Sequence, residues 1–232
     1  MINSAHDPSA LHDHYQEAKC FPHIVIDDFL DPVVANSIAD ELEDINCDSW
    51  LFDPHADQVN KWSMPDLQQL PLNTAGALAS FNSPEALMFL QSLTGIQPLL
   101  ADPQYLGGGV HLSATGGRLG VHADFNLHPV TGLHRRLNAL LYLNCDWDPS
   151  WNGQLEIWNR QMTAMEESVD PIFNRLVVFN VTDHSFHGVP KTLLCPPHRR
   201  RISLALYYYT AKRPDEEKAP FHWATWQQPR QQ

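Results

Sequence analysis

This sequence of 232 residues has little charge, and positive charge is the scarcer sign. Charged residues make up 18% of the chain, with 15 Lys and Arg against 27 Asp and Glu, so the formal net charge is −12. A field of that sign repels phosphate backbones and acidic lipid, and we therefore expect no nucleic-acid partner and no membrane partner. No apolar run approaches the length that a membrane-spanning helix requires.

Cysteine is also scarce, and no secretory signal is expected. The four cysteines are scattered, without a CxxC pair or a zinc-type spacing: Cys20, Cys47, Cys145 and Cys195. A chain of this size has no need of a disulfide framework, so reduced thiols are expected. The first nineteen residues contain neither a basic segment nor the apolar segment of a secretory signal. Both absences predict a cytoplasmic protein.

The sequence does contain enough apolar mass for a well-packed core. Hydrophobic residues make up 43% of the chain, and no repeat or linker divides it, so we predict one domain. The polar residues 1–20 are expected to form a flexible N-terminus, followed by the single domain over residues 21–232. Within it, helices are expected to support the fold over about 21–100, and a β-rich core over about 101–210.

Helix signals are confined to the first half of the chain. Asp31 stands at an N-cap position before Pro32, and VVANSIADELEDI then follows a helical period. A second helix is predicted between a cap at Ser83 and a stop at Gly95. Residues 50–80 are mixed in character, and we predict loops with one short helix there.

Short β-rich runs separated by glycine and proline turns replace the helical pattern in the second half. The predicted strands lie at about 104–112, 118–124, 137–144, 153–159, 175–181, 184–189 and 200–209. Short strands at this spacing are typical of a β-sandwich or a jelly roll. The predicted fold is therefore mainly β, with supporting N-terminal helices.

One pair of residues in the β half has the spacing of a metal site. His122 and Asp124 occupy positions i and i+2 of a predicted strand, so both side chains point to the same face. A third ligand has to come from elsewhere, and His187 is the best candidate because it lies on a later strand before a Gly-Val-Pro turn. Two imidazoles and a carboxylate on one face of a metal form the facial triad of non-heme Fe(II) oxygenases.

Other histidines offer alternative ligands, and each has a simpler interpretation. A second His-x-Asp motif begins at His55, where a solvated turn is expected because no Arg-x-Ser strand accompanies it. His128 is the second choice for the first ligand, and His184 is the second choice for the distal ligand. Taken alone, each of these residues is more often a surface or packed histidine than a metal ligand.

The last predicted strand alternates in character. Arg201, Ser203 and Tyr207 share one face, and Ile202 and Leu204 share the other. Burying the charge of an inward-facing arginine costs free energy unless an anion pairs with it. A guanidinium matches a carboxylate in bidentate fashion, and a serine hydroxyl adds one more donor. An Fe(II) triad beside such a carboxylate clamp is what a 2-oxo acid cosubstrate requires.

These motifs resemble the Fe(II)/2-oxoglutarate-dependent oxygenases, and the prolyl 4-hydroxylase-like branch is the most similar. The resemblance covers about residues 105–210. It rests on His122-x-Asp124, the distal histidine of RLVVFNVTDHSFHGV, the strand RRLNALLYLN and the Arg201-x-Ser203 pair. It implies that the fold is a double-stranded β-helix, or jelly roll, in agreement with the strand count.

The same resemblance implies roles for two further residues of RRLNALLYLN. Tyr142 would donate its hydroxyl to the 2-oxoglutarate carboxylate that Arg201 holds, and Asn138 would line the same pocket as a further cosubstrate-binding residue. The branch usually has a tyrosine shortly before the first metal ligand, where this sequence has His111. Arg201 also follows His187 by fourteen positions, a longer gap than the commonest one, which implies a longer loop.

Two basic pairs need separate interpretation. Arg135 and Arg136 precede an inward-facing strand and have two equal explanations: an anionic group of the substrate, or a nearby acid such as Asp146. Arg199 and Arg200 are better explained as part of a solvated loop before the last strand, given the acidic balance of the whole chain.

The activity implied by the resemblance is that of a dioxygenase that uses Fe(II), 2-oxoglutarate and O₂, with ascorbate as an optional reductant, and releases succinate and CO₂. A carboxylate at Asp124 favours hydroxylation of an unactivated C–H bond, because halogenating members have a small residue there. Desaturation and cyclisation use the same triad and stay open. The implied substrate is an amino acid, a peptidyl residue of prolyl type or a small biosynthetic intermediate.

A cupin-like metal-binding protein or sensor without 2-oxoglutarate turnover is the alternative. Arg201 and Ser203 discriminate between the two, since a site without a keto acid has no need of a carboxylate clamp. Substrate selection is expected to come from loops outside the sheet, at about 50–80, 125–135 and 160–172. Nothing in the sequence indicates an oligomeric state.

Overall fold

The helices lie in the N-terminal part of the chain, and most of the strands follow them. In the computed structural model, which describes residues 1–52 and 55–228, the helices are His12–Gln16 (α1), Pro32–Glu43 (α2), Leu72–Phe81 (α3) and Pro84–Thr94 (α4). The strands are His23–Ile26 (β1), Leu51–Phe52 (β2), Gln58–Met64 (β3), Leu100–Ala101 (β4), Gly109–Ala123 (β5), His134–Tyr142 (β6), Leu155–Trp158 (β7), Met165–Val169 (β8), Arg175–Asn180 (β9), His187–Val189 (β10), Arg201–Thr210 (β11) and Thr225–Trp226 (β12). No helix within the described residues is long and apolar enough to span a bilayer.

Cap residues that are visible in the sequence set the bounds of two helices. Asp31 accepts a hydrogen bond from Val33 N at the start of α2, and Ser83 accepts one from Ala86 N at the start of α4. Helix α4 ends at Gly95, whose φ of 74° is a left-handed conformation that suits glycine. Both helices predicted from these caps are confirmed.

The N-terminal segment, residues 1–20, packs against the helical layer, in contrast to the flexible terminus that its polar composition predicts. Helix α1 carries Tyr15, whose side chain is fully buried. Gln16 donates a hydrogen bond to Thr94 O at the end of α4, at 2.8 Å. One aromatic anchor and a few polar contacts dock the segment, and mean composition does not reveal either.

Residues 50–80 contain more regular structure than the predicted loops and single short helix. Strands β2 and β3 form an antiparallel pair, and β3 continues along one edge of β5. Helix α3 is tied to α2 by the carboxylate of Glu41, which accepts four hydrogen bonds from Asn73 and Thr74. The sequence of β3, QVNKWSM, has no regular apolar alternation, so periodicity does not predict a strand there. Residues 53–54, and 229–232 at the end of the predicted domain, lie outside the described residues.

The strands form one sheet that curls into a nearly closed barrel. The order along its main path is β1-β9-β6-β11-β5-β10-β7-β8. The long strand β5 joins the two layers: Ser113 in its first part pairs with Arg201 of β11, whereas His122 near its end pairs with His187 of β10. This is the double-stranded β-helix, so the predicted fold class is confirmed.

Strand β11 separates the core from the interior of the barrel. Its apolar face packs under the helices in the main hydrophobic cluster and consists of Ile202, Leu204, Leu206 and Tyr208. Its other face presents Arg201, Ser203 and Tyr207 to a cavity of about 260 Å³ inside the barrel. Because the side-chain period of a strand is two, burying the first row under the helices directs the second row into the cavity. The alternation predicted for this strand is confirmed.

Candidate active site

His122, Asp124 and His187, here called the metal site, meet inside the barrel. Strand β5 carries the first two on one face, and β10 places His187 opposite His122 in antiparallel register. The ligating atoms of these three residues lie within 4.8 Å of one another. All three are buried to 9% exposure or less. The structure therefore brings together the three residues that the sequence predicts as ligands.

Backbone carbonyl groups orient both imidazoles of the metal site. His122 Nδ1 donates to Gly120 O at 2.9 Å, and His187 Nδ1 donates to Ser185 O at 2.8 Å. Since a carbonyl only accepts, each neutral ring carries its proton on Nδ1 and a lone pair on Nε2. The two Nε2 atoms lie 3.5 and 3.6 Å from the oxygens of Asp124. Lone pairs that converge in this way, without a proton between them, form a site that a cation completes.

Burial and neighbouring charge hold His187 and Asp124 in the protonation states that metal binding requires. Burial lowers the pKa of His187 to about 4, which keeps the imidazole neutral. Burial tends to raise the pKa of Asp124, but the Arg135 guanidinium and the two imidazoles outweigh it and hold that pKa well below its usual range. Neutral imidazoles and an ionised carboxylate are the ligand forms that metals bind. The donor set therefore fits Fe(II).

Gly188 allows β10 to approach β5 closely beside the metal site. A Cβ atom at this position would lie 2.7 Å from Gly120 O, closer than side chains come to backbone. Gly188→Ala is therefore expected to push His187 away from His122 and to lower Fe(II) affinity by roughly tenfold or more, measured by anaerobic calorimetric titration. The control is Gly76→Ala in α3, where a Cβ meets nothing within 4 Å. Equal affinities in the two variants would contradict this account.

Arg201 and Ser203 line another wall of the cavity, and Tyr142 lies buried against Arg201; the three are here called the carboxylate anchor. Arg201 Nε donates to Gly153 O at 2.7 Å, and its Nη2 donates to Tyr142 OH at 3.2 Å. Ser203 lies between Tyr142 of β6 and His111 of β5 in the strand register. Arg201 Nη1 has no hydrogen-bond partner in the described part of the chain, and the side chain lines the cavity. A fixed cation with unused donors suits a carboxylate ligand.

Two neighbours keep neutral polar groups beside this anchor. Burial raises the pKa of Tyr142, so its hydroxyl stays protonated and is able to donate. His111 stands where the resembling branch has a tyrosine; it lines the cavity and donates from Nε2 to Gly107 O at 3.0 Å. Burial, followed by the charge of Lys61, lowers the pKa of His111 well below its ordinary value. Its neutral ring therefore offers Nδ1 as an acceptor.

Asn138 lines the cavity, and its contacts are with the metal site. Its Nδ2 donates to Asp124 Oδ2 at 2.7 Å, and its Oδ1 accepts from Arg135 Nε and Nη2 at 3.0 and 2.8 Å. Arg135 Nη2 also lies 3.3 Å from Asp124 Oδ2. The acid that Arg135 meets is therefore Asp124 and not Asp146. Both contacts hold the carboxylate in one orientation.

The remaining candidates lie apart from the metal site. His128 is buried, with Nε2 3.5 Å from the carboxylate of Asp102. His184 is exposed and hydrogen-bonded to an arginine. Arg136 pairs with Glu217 at 3.5 Å, on the segment that follows the last long strand. None of these three side chains lines the cavity as the structure describes it.

The C-terminal segment contributes a residue to the cavity that the sequence analysis missed. Strand β12 pairs with the end of β5 and places the Trp226 ring 4.9 Å from that of His122. His55, from the second His-x-Asp motif, also stacks on Trp226 at 4.9 Å between centroids. The aromatic sequence FHWATW in an otherwise polar tail is the signal that points to this role.

A jelly roll in which two histidines and an aspartate converge beside a buried arginine is typical of non-heme iron oxygenases. Residues 108–209, which include both the metal site and the carboxylate anchor, match the sequence profile of the 2OG-Fe(II) oxygenase superfamily. The resemblance seen in the sequence is confirmed over these residues. The profile is that of enzymes that use Fe(II) and 2-oxoglutarate.

Solved structures of low sequence identity share the fold. A prolyl hydroxylase from Trichoplax adhaerens, in complex with a hypoxia inducible factor peptide fragment, is 18% identical over 87% of this chain and 88% of that chain, with a TM-score of 0.60. A Pseudomonas putida prolyl-4-hydroxylase is 20% identical over 87% and 98%, with a TM-score of 0.57. HygX from Streptomyces hygroscopicus, with nickel, 2-oxoglutarate and hygromycin B bound, is 15% identical over 85% and 86%, with a TM-score of 0.57. No curated protein matches the sequence.

Proposed function

We propose that this protein is a 2-oxoglutarate-dependent hydroxylase in which the metal site holds Fe(II) and the carboxylate anchor holds the cosubstrate. The observation that carries the proposal is the convergence of two Nε2 lone pairs and one ionised carboxylate in a buried cavity. Arg201 and Ser203 of the carboxylate anchor line the same cavity, so one ligand is able to reach both the metal ion and the guanidinium.

When bound, Fe(II) supplies the oxygen chemistry that couples decarboxylation of 2-oxoglutarate to hydroxylation of a substrate C–H bond. The residues of the chain position this chemistry. The carbonyl groups of Gly120 and Ser185 fix both imidazoles, and Asn138 fixes the carboxylate of Asp124. Trp226 covers the His122 ring and restricts water on that side.

The carboxylate anchor would bind the far carboxylate of 2-oxoglutarate. Arg201 is held by Gly153 O and Tyr142 OH, so its Nη1 donors have a fixed direction before the cosubstrate arrives. Tyr142 then turns its own proton to the carboxylate, and the Ser203 hydroxyl adds another donor. A cupin-like protein without a keto acid would leave this buried cation unanswered, which is why we favour the oxygenase over that alternative.

Hydroxylation is the outcome that Asp124 favours, because the carboxylate occupies the position that halide takes in halogenating relatives. The substrate that the resemblance implies is an amino acid, a peptidyl residue or a small biosynthetic intermediate. Structures of the same fold hold a peptide fragment in one case and hygromycin B in another, so the fold itself accepts different ligand classes.

The proposal predicts metal-dependent succinate formation. Purified protein with Fe(II), ascorbate, O₂ and 2-oxoglutarate is expected to form succinate slowly even without substrate, and removal of the metal by a chelator is expected to abolish it. Succinate is followed by mass spectrometry, and restoring Fe(II) after chelation is expected to restore the rate. Formation that is indifferent to the chelator, or absent with every metal loading, would contradict the proposal.

We also propose that the protein acts in the cytoplasm as one domain over residues 21–232. Its four cysteines are all free, which fits a reducing compartment. One continuous sheet runs from β1 to β12, and the main core cluster includes residues of both the helices and the strands.

A further inference from the structure

Arg135 is a buried cation of the cavity that the metal site uses only in part. It is 1% exposed, and its Nε and Nη2 are taken by Asn138 Oδ1, with Nη2 also near Asp124. Its Nη1 has no hydrogen-bond partner among residues 1–52 and 55–228, although the side chain lines the cavity. Nη1 is not one of the fully buried unpaired atoms, so its two N–H groups face the cavity and are open to a ligand.

Two aromatic rings fix the plane of this guanidinium. Arg135 Cζ lies 3.5 Å from the centroid of Tyr207 and 4.3 Å from that of Phe125. Cation–π contacts of this kind favour the charged group where it stands and block a swing towards solvent. The direction of Nη1 is therefore set before a ligand binds, as a recognition group requires.

The charge of the cavity is strongly positive for a chain of net charge −12. Among the described residues that line it, three are arginines and one is an acid, Asp124. The metal ion and Arg135 share that acid, and the carboxylate of 2-oxoglutarate answers Arg201 under the proposed function. The charge of Arg135 is left without an anion of its own, and a focused positive field in a cleft attracts one.

An apolar path leads from Arg135 to the surface. Phe125 contacts the Trp223 ring at 6.2 Å between centroids, and Trp223 contacts Phe221 at 5.2 Å. Trp223 is 60% exposed and Phe221 is 45% exposed, and the ring contacts connect both to Phe125, which lines the cavity. An apolar body attached to an anion at Arg135 therefore has aromatic surface to cover.

We propose that Arg135 determines substrate specificity, and that the substrate is a carboxylic acid whose carboxylate accepts from Arg135 Nη1 while its apolar body packs along Phe125 and Trp223. This inference rests on the proposed function. The carboxylate belongs either to a small free acid or to the C-terminus of a short peptide, and an internal residue of a polypeptide does not meet the requirement.

The test compares the affinity of each acid with that of its uncharged amide, first in wild type and then in Arg135→Gln. The probes are phenylalanine, leucine, proline and their N-acetyl forms, together with dipeptides that end in the same residues, each paired with its primary amide. Binding to the anaerobic protein loaded with Fe(II) and 2-oxoglutarate is followed by calorimetry and by the visible band of the iron chelate. Wild type is expected to bind at least one acid roughly tenfold or more tighter than its amide. The free acids and the dipeptides distinguish the two sources of the carboxylate.

Arg135→Gln is expected to weaken binding of that acid by roughly 10- to 100-fold and to leave binding of the amide nearly unchanged. Equal loss for acid and amide would show that Arg135 acts only through Asp124, and would overturn the inference. Arg118→Gln is the matched control, because Arg118 lines the same cavity but is exposed and bonded to Ala56 O. If Arg118→Gln weakened binding of the acid as much as Arg135→Gln does, the inference would also be overturned.

The wild-type arm decides the inference even where the variant fails to bind iron. If no acid of the panel binds better than its amide, the inference is wrong. Failure of the proposed function is distinguishable, since the visible band of the chelate would then be absent before any probe is added.

Discussion

His187→Ala is expected to abolish tight Fe(II) binding and to lower 2-oxoglutarate turnover by at least about 100-fold, since removing even an outer-shell partner costs 10- to 100-fold. The variant leaves two ligands of the metal site on β5 and removes the one that β10 contributes. Its burial keeps the wild-type ring neutral and its Nδ1 proton is fixed by Ser185 O, so no solvent ligand matches its geometry. The measurements are iron stoichiometry after anaerobic titration and the rate of succinate formation.

His184→Ala is the matched control for that variant. His184 lies three positions earlier in the same segment, but it is exposed and its Nε2 contacts Arg160 instead of the metal site. Its loss is expected to leave iron stoichiometry and succinate formation close to those of wild type, because surface substitutions away from a site have small effects. Retained turnover in His187→Ala, or a loss confined to His184→Ala, would contradict the ligand assignment.

The position of His122 beside Asp124 was predictable because it rests on short-range geometry, whereas His187 was selected by the Gly-Val-Pro turn that follows it. His122 and Asp124 share a face through the period of a strand, and this needs no knowledge of the neighbouring strands. The inward direction of Arg201 and Ser203 follows from the same period, together with the apolar row that the helices cover. Such patterns survive in one sequence because each depends on a single element.

The pairing of Arg135 with Asp124 was not predictable from the sequence. The two residues lie on strands β6 and β5, which are separated by β11 in the sheet, and their contact depends on the curvature of the barrel. The sequence predicts that Asn138 lines the cavity beside the cosubstrate. It does not reveal that the side-chain amide donates to Asp124, because that contact also joins two strands that are not neighbours in the sheet. Contacts across a closed sheet depend on register and twist, which propensity does not reveal.

The edge of the cavity was missed because its sequence signals are weak. Strand β3 lacks alternation, and β12 is two residues long, so neither has a detectable period. Tertiary pairing with β5 makes both of them strands. Through its pairing Trp226 reaches the cavity, whereas His55 lies in the exposed turn that the sequence predicts and stacks on Trp226 from there.

Arg201→Ala is expected to raise the KM for 2-oxoglutarate by roughly 30-fold or more, since truncating one partner of a buried charge pair costs about 2–5 kcal/mol. Fe(II) affinity is expected to stay unchanged, because Arg201 contacts Gly153 and Tyr142 and no residue of the metal site. Arg201→Lys is expected to recover only part of the loss, since an ammonium lacks the planar fork that a carboxylate accepts. The visible band of the anaerobic chelate, titrated with 2-oxoglutarate, gives the affinity directly.

The matched control for Arg201 is Arg199→Gln, two positions earlier in the same basic run. Arg199 donates to Cys145 O and lies outside the described lining of the cavity, so its loss is expected to leave the KM for 2-oxoglutarate at the wild-type value. An unchanged KM in Arg201→Ala would show that another cation binds the far carboxylate of 2-oxoglutarate. Arg135, which contacts Asp124 of the metal site, would then be the candidate. The carboxylate anchor and the proposed substrate anchor would then exchange roles, and the acid–amide comparison at Arg135 would fail in the same protein. The two assignments therefore depend on each other. If Arg201 binds the carboxylate of 2-oxoglutarate, Arg135 is available for the carboxylate of the substrate, and the reverse also holds.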